Sequence, residues 1–266
     1  MAPKTVFIIP YRDRLYHKEH FVIYMKYVLS NLDPNSYEIF FVHQLDTRPF
    51  NRGAMKNIGF IAIKERWPDN YKDITFIFND IDTIPANENI MPYETSNGIV
   101  KHIYGFDFAL GGIFLIKGID FERIGGFPNF WGWGFEDKII QARVLRHNII
   151  IDRSNFYKIG DQRILHIFDG PMRALTKKDC WRLPDNSDSL NDISNLFYKF
   201  DGDEIKVSQF NTNIDPNTET FYTQNMKEDK VVHKDKNYKD NIVSLNMPAP
   251  ASNTQNRHKK KWGIVI

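Results

Sequence analysis

The residues best suited to chemistry fall into a few short clusters. Asp80-Ile81-Asp82 places two carboxylates one residue beyond the apolar run at 75–78, after Asn79. In extended backbone residues i and i+2 share a face, so both acids emerge together where a buried strand ends. Oxygen ligands of this kind suit Mg²⁺ or Mn²⁺, and a cation bridging a diphosphate neutralises charge as that group departs. A polar strand end or a helix cap accounts equally well for an isolated Asp-x-Asp.

The stretch Trp131-Gly132-Trp133-Gly134-Phe135-Glu136-Asp137 offers indole faces for a sugar ring and glycines that let a substrate approach. Glu136 and Asp137 open a helix, whose N-terminal dipole favours ionised carboxylates. An ionised carboxylate there can accept a hydrogen bond from a hydroxyl and take its proton as it attacks an anomeric carbon. The other account is an aromatic core corner followed by two ordinary first-turn acids.

Pro10-Tyr11-Arg12-Asp13-Arg14 and Phe50-Asn51-Arg52 combine rings with guanidinium groups, as recognition of uracil and phosphate requires. Solvated arginines beside a turn are the alternative. His166 stands between Leu165 and Ile167, where a satisfied core histidine and a metal ligand read alike.

Strand-like runs at 5–9, 37–42 and 74–78 alternate with helical patterns at 19–29 and 51–66. A strand at 109–116 is entered through Gly111-Gly112, and a short helix at 119–124 is stopped by Gly125-Gly126. A helix runs from the Glu136-Asp137 pair to Arg146, and a last strand lies at 149–151. Such alternation argues for an α/β fold with a mainly parallel sheet flanked by helices. The first strand then delivers residues 11–14 to the edge where open α/β sheets bind ligands.

The chain has 266 residues, 42% of them hydrophobic, which suffices for one sizeable core. Lys and Arg total 35 against 33 Asp and Glu, so no global field draws it to nucleic acid or membrane. Cys180 is the only cysteine, which excludes an internal disulfide, and no apolar stretch at the start suggests a signal or membrane span. The expected location is cytoplasmic, or Golgi-like if an anchor precedes this sequence. Beyond Asp201 the composition turns to Asn, Asp, Lys and Thr, with Pro248-Ala249-Pro250 and a closing Arg257-His258-Lys259-Lys260-Lys261. The expected organisation is a catalytic domain over 1–200 and a polar extension over 201–266, wrapping or disordered.

Taken in order, Ile9 to Arg14, Phe50-Asn51-Arg52-Gly53-Ala54-Met55-Lys56-Asn57-Ile58-Gly59-Phe60, Asp80-Ile81-Asp82, Gly111-Gly112 and Gly126-Phe127-Pro128 through Asp137 resemble the β1,4-galactosyltransferase family, glycosyltransferase family 7. The resemblance implies a GT-A fold, a UDP-sugar donor, Mn²⁺ or Mg²⁺, and inverting transfer of galactose or a related hexose to a carbohydrate or glycoconjugate hydroxyl. It implies that Pro10, Tyr11, Arg12, Arg14, Phe50 and Arg52 contact the uridine diphosphate, with Asp80 near the ribose. Ile81 and Gly112 fall in the same nucleotide-sugar site. Asp82 and His166 match metal ligands, Trp133 the mobile tryptophan over the sugar, Glu136 an acceptor or donor contact, and Asp137 the catalytic base.

Departures from the family pattern carry expectations of their own. Relatives supply a third metal ligand where this chain has Arg163 or Phe168, so water, Asp169 or the diphosphate would complete the set. Lys138 replaces an acid, implying an acceptor pocket unlike one built for N-acetylglucosamine. Ala109 stands where galactose-transferring relatives carry Tyr, implying a roomier donor pocket open to UDP-GalNAc. A non-catalytic sugar- or nucleotide-binding descendant of the same fold, and a metal-dependent nucleotidyltransferase, are the other readings.

Overall fold

The computed structural model describes residues 2–170, 172–182 and 188–225. The chain opens with β1 (Thr5–Tyr11), α1 (Leu15–Val28), β2 (Tyr37–Gln44), α2 (Arg52–Arg66), β3 (Thr75–Asn79), β4 (Thr83–Pro85), β5 (Ile99–Gly105) and β6 (Ile113–Lys117). It continues through α3 (Gly118–Arg123), α4 (Glu136–Arg146), β7 (Ile150–Asp152), β8 (Tyr157–Lys158), β9 (Ile164–His166) and β10 (Met172–Thr176). The last elements are α5 (Lys177–Arg182), β11 (Ser194–Asp201), β12 (Glu204–Asn211) and β13 (Phe221–Asn225).

Every residue of β1 is buried, as befits a central strand covered on both faces. It lies between β2 and β3, parallel to both, in a nine-stranded sheet of order β11-β12-β2-β1-β3-β6-β5-β7, with β8 beside β5. β6 runs antiparallel to β3 and β5, which makes the sheet mixed but mainly parallel. Pro10 falls inside β1, past the last residue paired with β3, so its missing N–H costs that ladder nothing.

Alternate residues of the central strands feed two cores. Val6, Ile8, Val42 and Phe78 pack with Ala54, Met55 and Ile58 of α2, while Phe7, Ile9, Phe41 and Ile77 pack with Phe21, Met25 and Val28 of α1. α2 comes so close that a Cβ on Gly59 would lie 2.7 Å from Ile8 and 2.8 Å from Val42. Asn51 caps the helix, accepting from the Ala54 N–H at 2.8 Å.

Three expectations are corrected. The strand expected at 109–116 is confined to β6, because Gly112 adopts φ +67° and residues 106–112 form a loop. α1 begins at Leu15, a turn earlier than expected, just after Asp13 takes a left-handed φ of 54°. The boundary at 200 cuts the β11–β12 hairpin: β12 joins β2 in parallel, burying Ile205, Val207 and Phe210. Its alternation of apolar with Glu204, Lys206 and Ser208 hides a strand inside a polar composition. The Pro-Ala-Pro and closing basic runs lie outside the described residues. Among those described, no helix is long and apolar enough to cross a membrane.

Candidate active site

Asp80 is the first residue after β3. Its N–H donates to the Gly112 carbonyl at 3.0 Å, and its own carbonyl accepts from Thr83 N–H at 3.1 Å and from the buried Asn79 Nδ2 at 2.7 Å. This turn leads into β4, which pairs antiparallel with β9 so that Thr83 faces His166. Ile167 N–H donates to the Asp82 carbonyl at 2.8 Å. His166, distant in sequence, thereby reaches Asp82, with Nε2 3.6 Å from Oδ2.

The ion pair with Asp82 raises the His166 pKa against its burial. Burial pushes the Asp82 carboxyl up, but His166 and Arg14 outweigh it and leave it below its usual value. Asp169, considered as a further ligand, is instead held by Arg14 at 3.0 Å and Arg173 at 2.6 Å. Among the described residues no three His, Cys, Asp or Glu side chains converge as a metal site. One carboxylate and one imidazole, adjacent and open to a cleft, fit a hard cation that takes its remaining ligands from water and phosphate oxygens.

Asp137 stands in the first turn of α4. Phe135 before it adopts φ +70°, unusual for a residue with a side chain and of the kind concentrated at functional turns. Leu110 N–H donates to the Asp137 carbonyl at 3.0 Å, tying the helix start to the Gly111-Gly112 loop. A Cβ on Gly111 would come within 2.3 Å of Asp137 Oδ2, so only glycine leaves room for that carboxylate. Asp137 Oδ1 is buried without a hydrogen-bond partner. Burial drives the Asp137 pKa up to about 8; Glu136 and Asp80 add to the rise, while Lys56 and Arg52 oppose it. Burial thus works against the helix terminus, whose dipole favours the ionised form.

The approach to Asp137 is set by α2. Asn57 Nδ2 donates to the Phe127 carbonyl at 2.8 Å and to Asn129 Oδ1 at 2.9 Å, while Phe127 N–H donates to Asn57 Oδ1 at 2.8 Å. A Cβ on Gly53 would lie 1.9 Å from the Pro128 carbonyl oxygen. The helix and the aromatic stretch are thus locked together.

These pieces enclose a cleft of about 200 Å³ lined by Pro10, Arg12, Arg14, Phe50, Arg52, Asp80, Ile81, Asp82, Gly112, Trp133, Asp137 and His166, all singled out from sequence. A wider cavity of about 700 Å³ adjoins it, sharing Arg12, Arg14, Phe50, Arg52, Trp133, Asp169 and Arg173 as walls. The guanidinium groups of Arg12 and Arg52 lie 5.5 and 5.0 Å from the Phe50 ring centre. The Trp133 backbone N–H donates to the Ala174 carbonyl of β10 at 2.7 Å, and the Arg173 guanidinium lies 5.5 Å from the Trp133 ring.

Two singled-out residues stay out of the cleft. Tyr11 is buried against His43, ring centres 4.6 Å apart, and against Phe41. Glu136 is buried, with Oε2 lacking a hydrogen-bond partner. Trp131, expected to present an indole face, instead stacks on Phe210 at 5.3 Å and donates Nε1–H to the Ile214 carbonyl at 2.8 Å. Its sequence spacing is that of a sugar platform, but β12 covers it.

Sequence reasoning missed Lys56 and Arg173. Lys56 sits one turn after Arg52 on α2, and the only available signal was a charge in a stretch otherwise fit for burial. Arg173 follows no motif and reaches the cleft only through the path of the chain after β9.

Comparison with known proteins bears on the family and the fold. Residues 1–94 match the N-terminal region of glycosyl transferase group 7, and residues 100–167 match the N-terminal domain of galactosyltransferase. Xylosylprotein 4-beta-galactosyltransferase of Caenorhabditis elegans is 26% identical over 218 residues, 76% of this chain and 73% of that protein. Human beta-1,4-galactosyltransferase 6 is 30% identical over 227 residues, 80% of this chain, which thus spans only 56% of the human protein. The catalytic domain of Drosophila beta1,4-galactosyltransferase 7, solved with xylobiose, superposes with a TM-score of 0.63 at 23% identity, over 81% of this chain and 97% of that one. A mutant of that enzyme was solved with manganese, UDP-Gal and xylobiose. With both sequence regions of the family matched in order and its fold reproduced, this chain belongs to glycosyltransferase family 7, the β1,4-galactosyltransferases.

Proposed function

We propose that this protein transfers galactose from UDP-galactose to a hydroxyl of a carbohydrate acceptor, with inversion at the anomeric carbon and a requirement for Mn²⁺. The observation that carries this reading is the Asp137 carboxylate, whose Oδ1 makes no hydrogen bond, at the wall of a cleft that also holds Arg12, Arg14 and the Asp82–His166 pair. Family relatives named for galactosyl transfer support the donor, and the Drosophila complex with manganese and UDP-Gal supports the cation.

In this reading Arg12 and Arg14 would face the diphosphate, and Asp82 with His166 would hold the metal. The cation, when bound, supplies Lewis-acid neutralisation of the departing diphosphate. Asp137 accepts a hydrogen bond from the acceptor hydroxyl and takes its proton as that oxygen bonds to the anomeric carbon. The bond to UDP breaks on the opposite face, and the electron pair leaves with the diphosphate, which the arginines stabilise.

Ala109 lines the cleft and keeps its wall low, so UDP-GalNAc is a further donor in this proposal. Xylose-terminated acceptors are the first to try, from the name of the nematode relative and the xylobiose of the Drosophila complex. The test is UDP release from UDP-Gal, UDP-GalNAc, UDP-Glc and UDP-Xyl against simple sugars, with and without Mn²⁺, with product mass and anomeric configuration recorded. Mn²⁺-dependent release with a β-linked product is expected. Failure with every donor overturns the proposal in favour of a binding protein.

A further inference from the structure

We propose that Lys56 is a positioning residue for the base: its buried ammonium, shared between Asp80 and Asp137, orients the Asp137 carboxylate and favours its ionised form. Lys56 is 3% exposed, and its Nζ lies 3.4 Å from Asp80 Oδ1 and 3.8 Å from Asp137 Oδ1. These carboxylates come from different elements, Asp80 from the end of β3 and Asp137 from the start of α4. Their common neighbour is a side chain of α2, which rests its ammonium 4.8 Å from the Phe127 ring centre.

Burying an ammonium costs several kcal/mol unless charge partners repay it. Here the repayment is mutual. Asp80 and Asp137 line one end of the cleft, the buried Glu136 adds a third negative charge behind them, and Lys56 and Arg52 oppose all three. Arg52 also borders the cavity where an anionic donor would bind, whereas Lys56 is sealed beneath it and its charge stays with the carboxylates. A Coulomb partner within 4–6 Å moves a carboxylate by roughly one to three pH units, so this one ammonium lowers the pH at which Asp137 ionises, against the burial that raises it.

A core strut would serve as well without its charge; a positioning cation would not. The inference rests on Asp137 being the base, so its test is read without turnover. The carboxyl carbon of Asp137, identified by its loss in Asp137→Asn, is titrated by ¹³C NMR in wild type, Lys56→Arg and Lys56→Met. The expected result is a midpoint raised by roughly one to three pH units in Lys56→Met and kept near the wild-type value in Lys56→Arg. An unchanged midpoint in Lys56→Met overturns the proposal. Should Lys56→Met not fold, Asp80→Asn compared with Lys56→Met/Asp80→Asn carries the same contrast with one carboxylate fewer. Full turnover by Asp137→Asn would remove the base assignment while the titration still reports what Lys56 does to that carboxylate.

Discussion

At the scale of single residues, the account turns on a carboxylate that its surroundings keep reluctant to ionise. Only the ionised form of Asp137 can take a proton, and burial lifts its pKa to about 8 in the free protein. The expected consequence is that kcat/KM rises with pH through about 8 and falls about tenfold per unit below it, which a pH–rate profile from 6 to 9.5 checks. Gly111 matters for the same atom. Gly111→Ala would drive a methyl into Asp137 Oδ2, so kcat should drop on the order of a hundredfold with little change in melting temperature. These two residues also mark what sequence could and could not yield. Asp137 was legible as a first-turn acid after the Trp-Gly-Trp-Gly-Phe stretch, and its role as base came from the family resemblance, whereas its protonation state depends on Lys56, Glu136 and Asp80, which the fold brings near.

At the scale of elements, the site depends on two junctions. One is the short β4·β9 pairing that carries His166 to Asp82. His166→Ala and Asp82→Ala should each weaken Mn²⁺ binding by at least tenfold in calorimetry, while the Asp80 turn stays intact through Gly112 and Thr83. The other is the Asn57 clasp on Phe127 and Asn129. Asn57→Ala removes three buried hydrogen bonds and should cost about 3 kcal/mol in denaturant unfolding, a loss that mutating a surface asparagine would not produce. The long apolar strands β1, β2 and β3 and the periodic helix α2 were readable because burial on two faces writes itself as composition. Strands of three residues such as β4 and β9 leave no periodic trace, so the route from His166 to the metal site came from resemblance alone. Trp131 failed for a related reason: its motif is local, but β12, which covers it, arrives eighty residues later.

At the scale of the whole molecule, the sheet does not end where the composition changes. Cutting at residue 200 would strip β12 from β2 and expose Ile205, Val207 and Phe210 partners in the α2-side core. The expected outcome is loss of cooperative unfolding, checked by circular dichroism against the full chain. A folded, equally stable 1–200 fragment would contradict the sheet order. The fold brings Arg12, Arg14, Arg52, the Asp82–His166 pair and Asp137 to one cleft, and the proposal that they act together as one catalytic site is the central claim. It is tested most directly by comparing wild type and Asp137→Asn with UDP-galactose, Mn²⁺ and a sugar acceptor, with transfer and UDP affinity measured side by side. Asp137→Asn is expected to keep UDP binding while transfer falls by about 10²–10⁴-fold. Near-normal transfer by the variant, or equal transfer without any divalent cation, would contradict it.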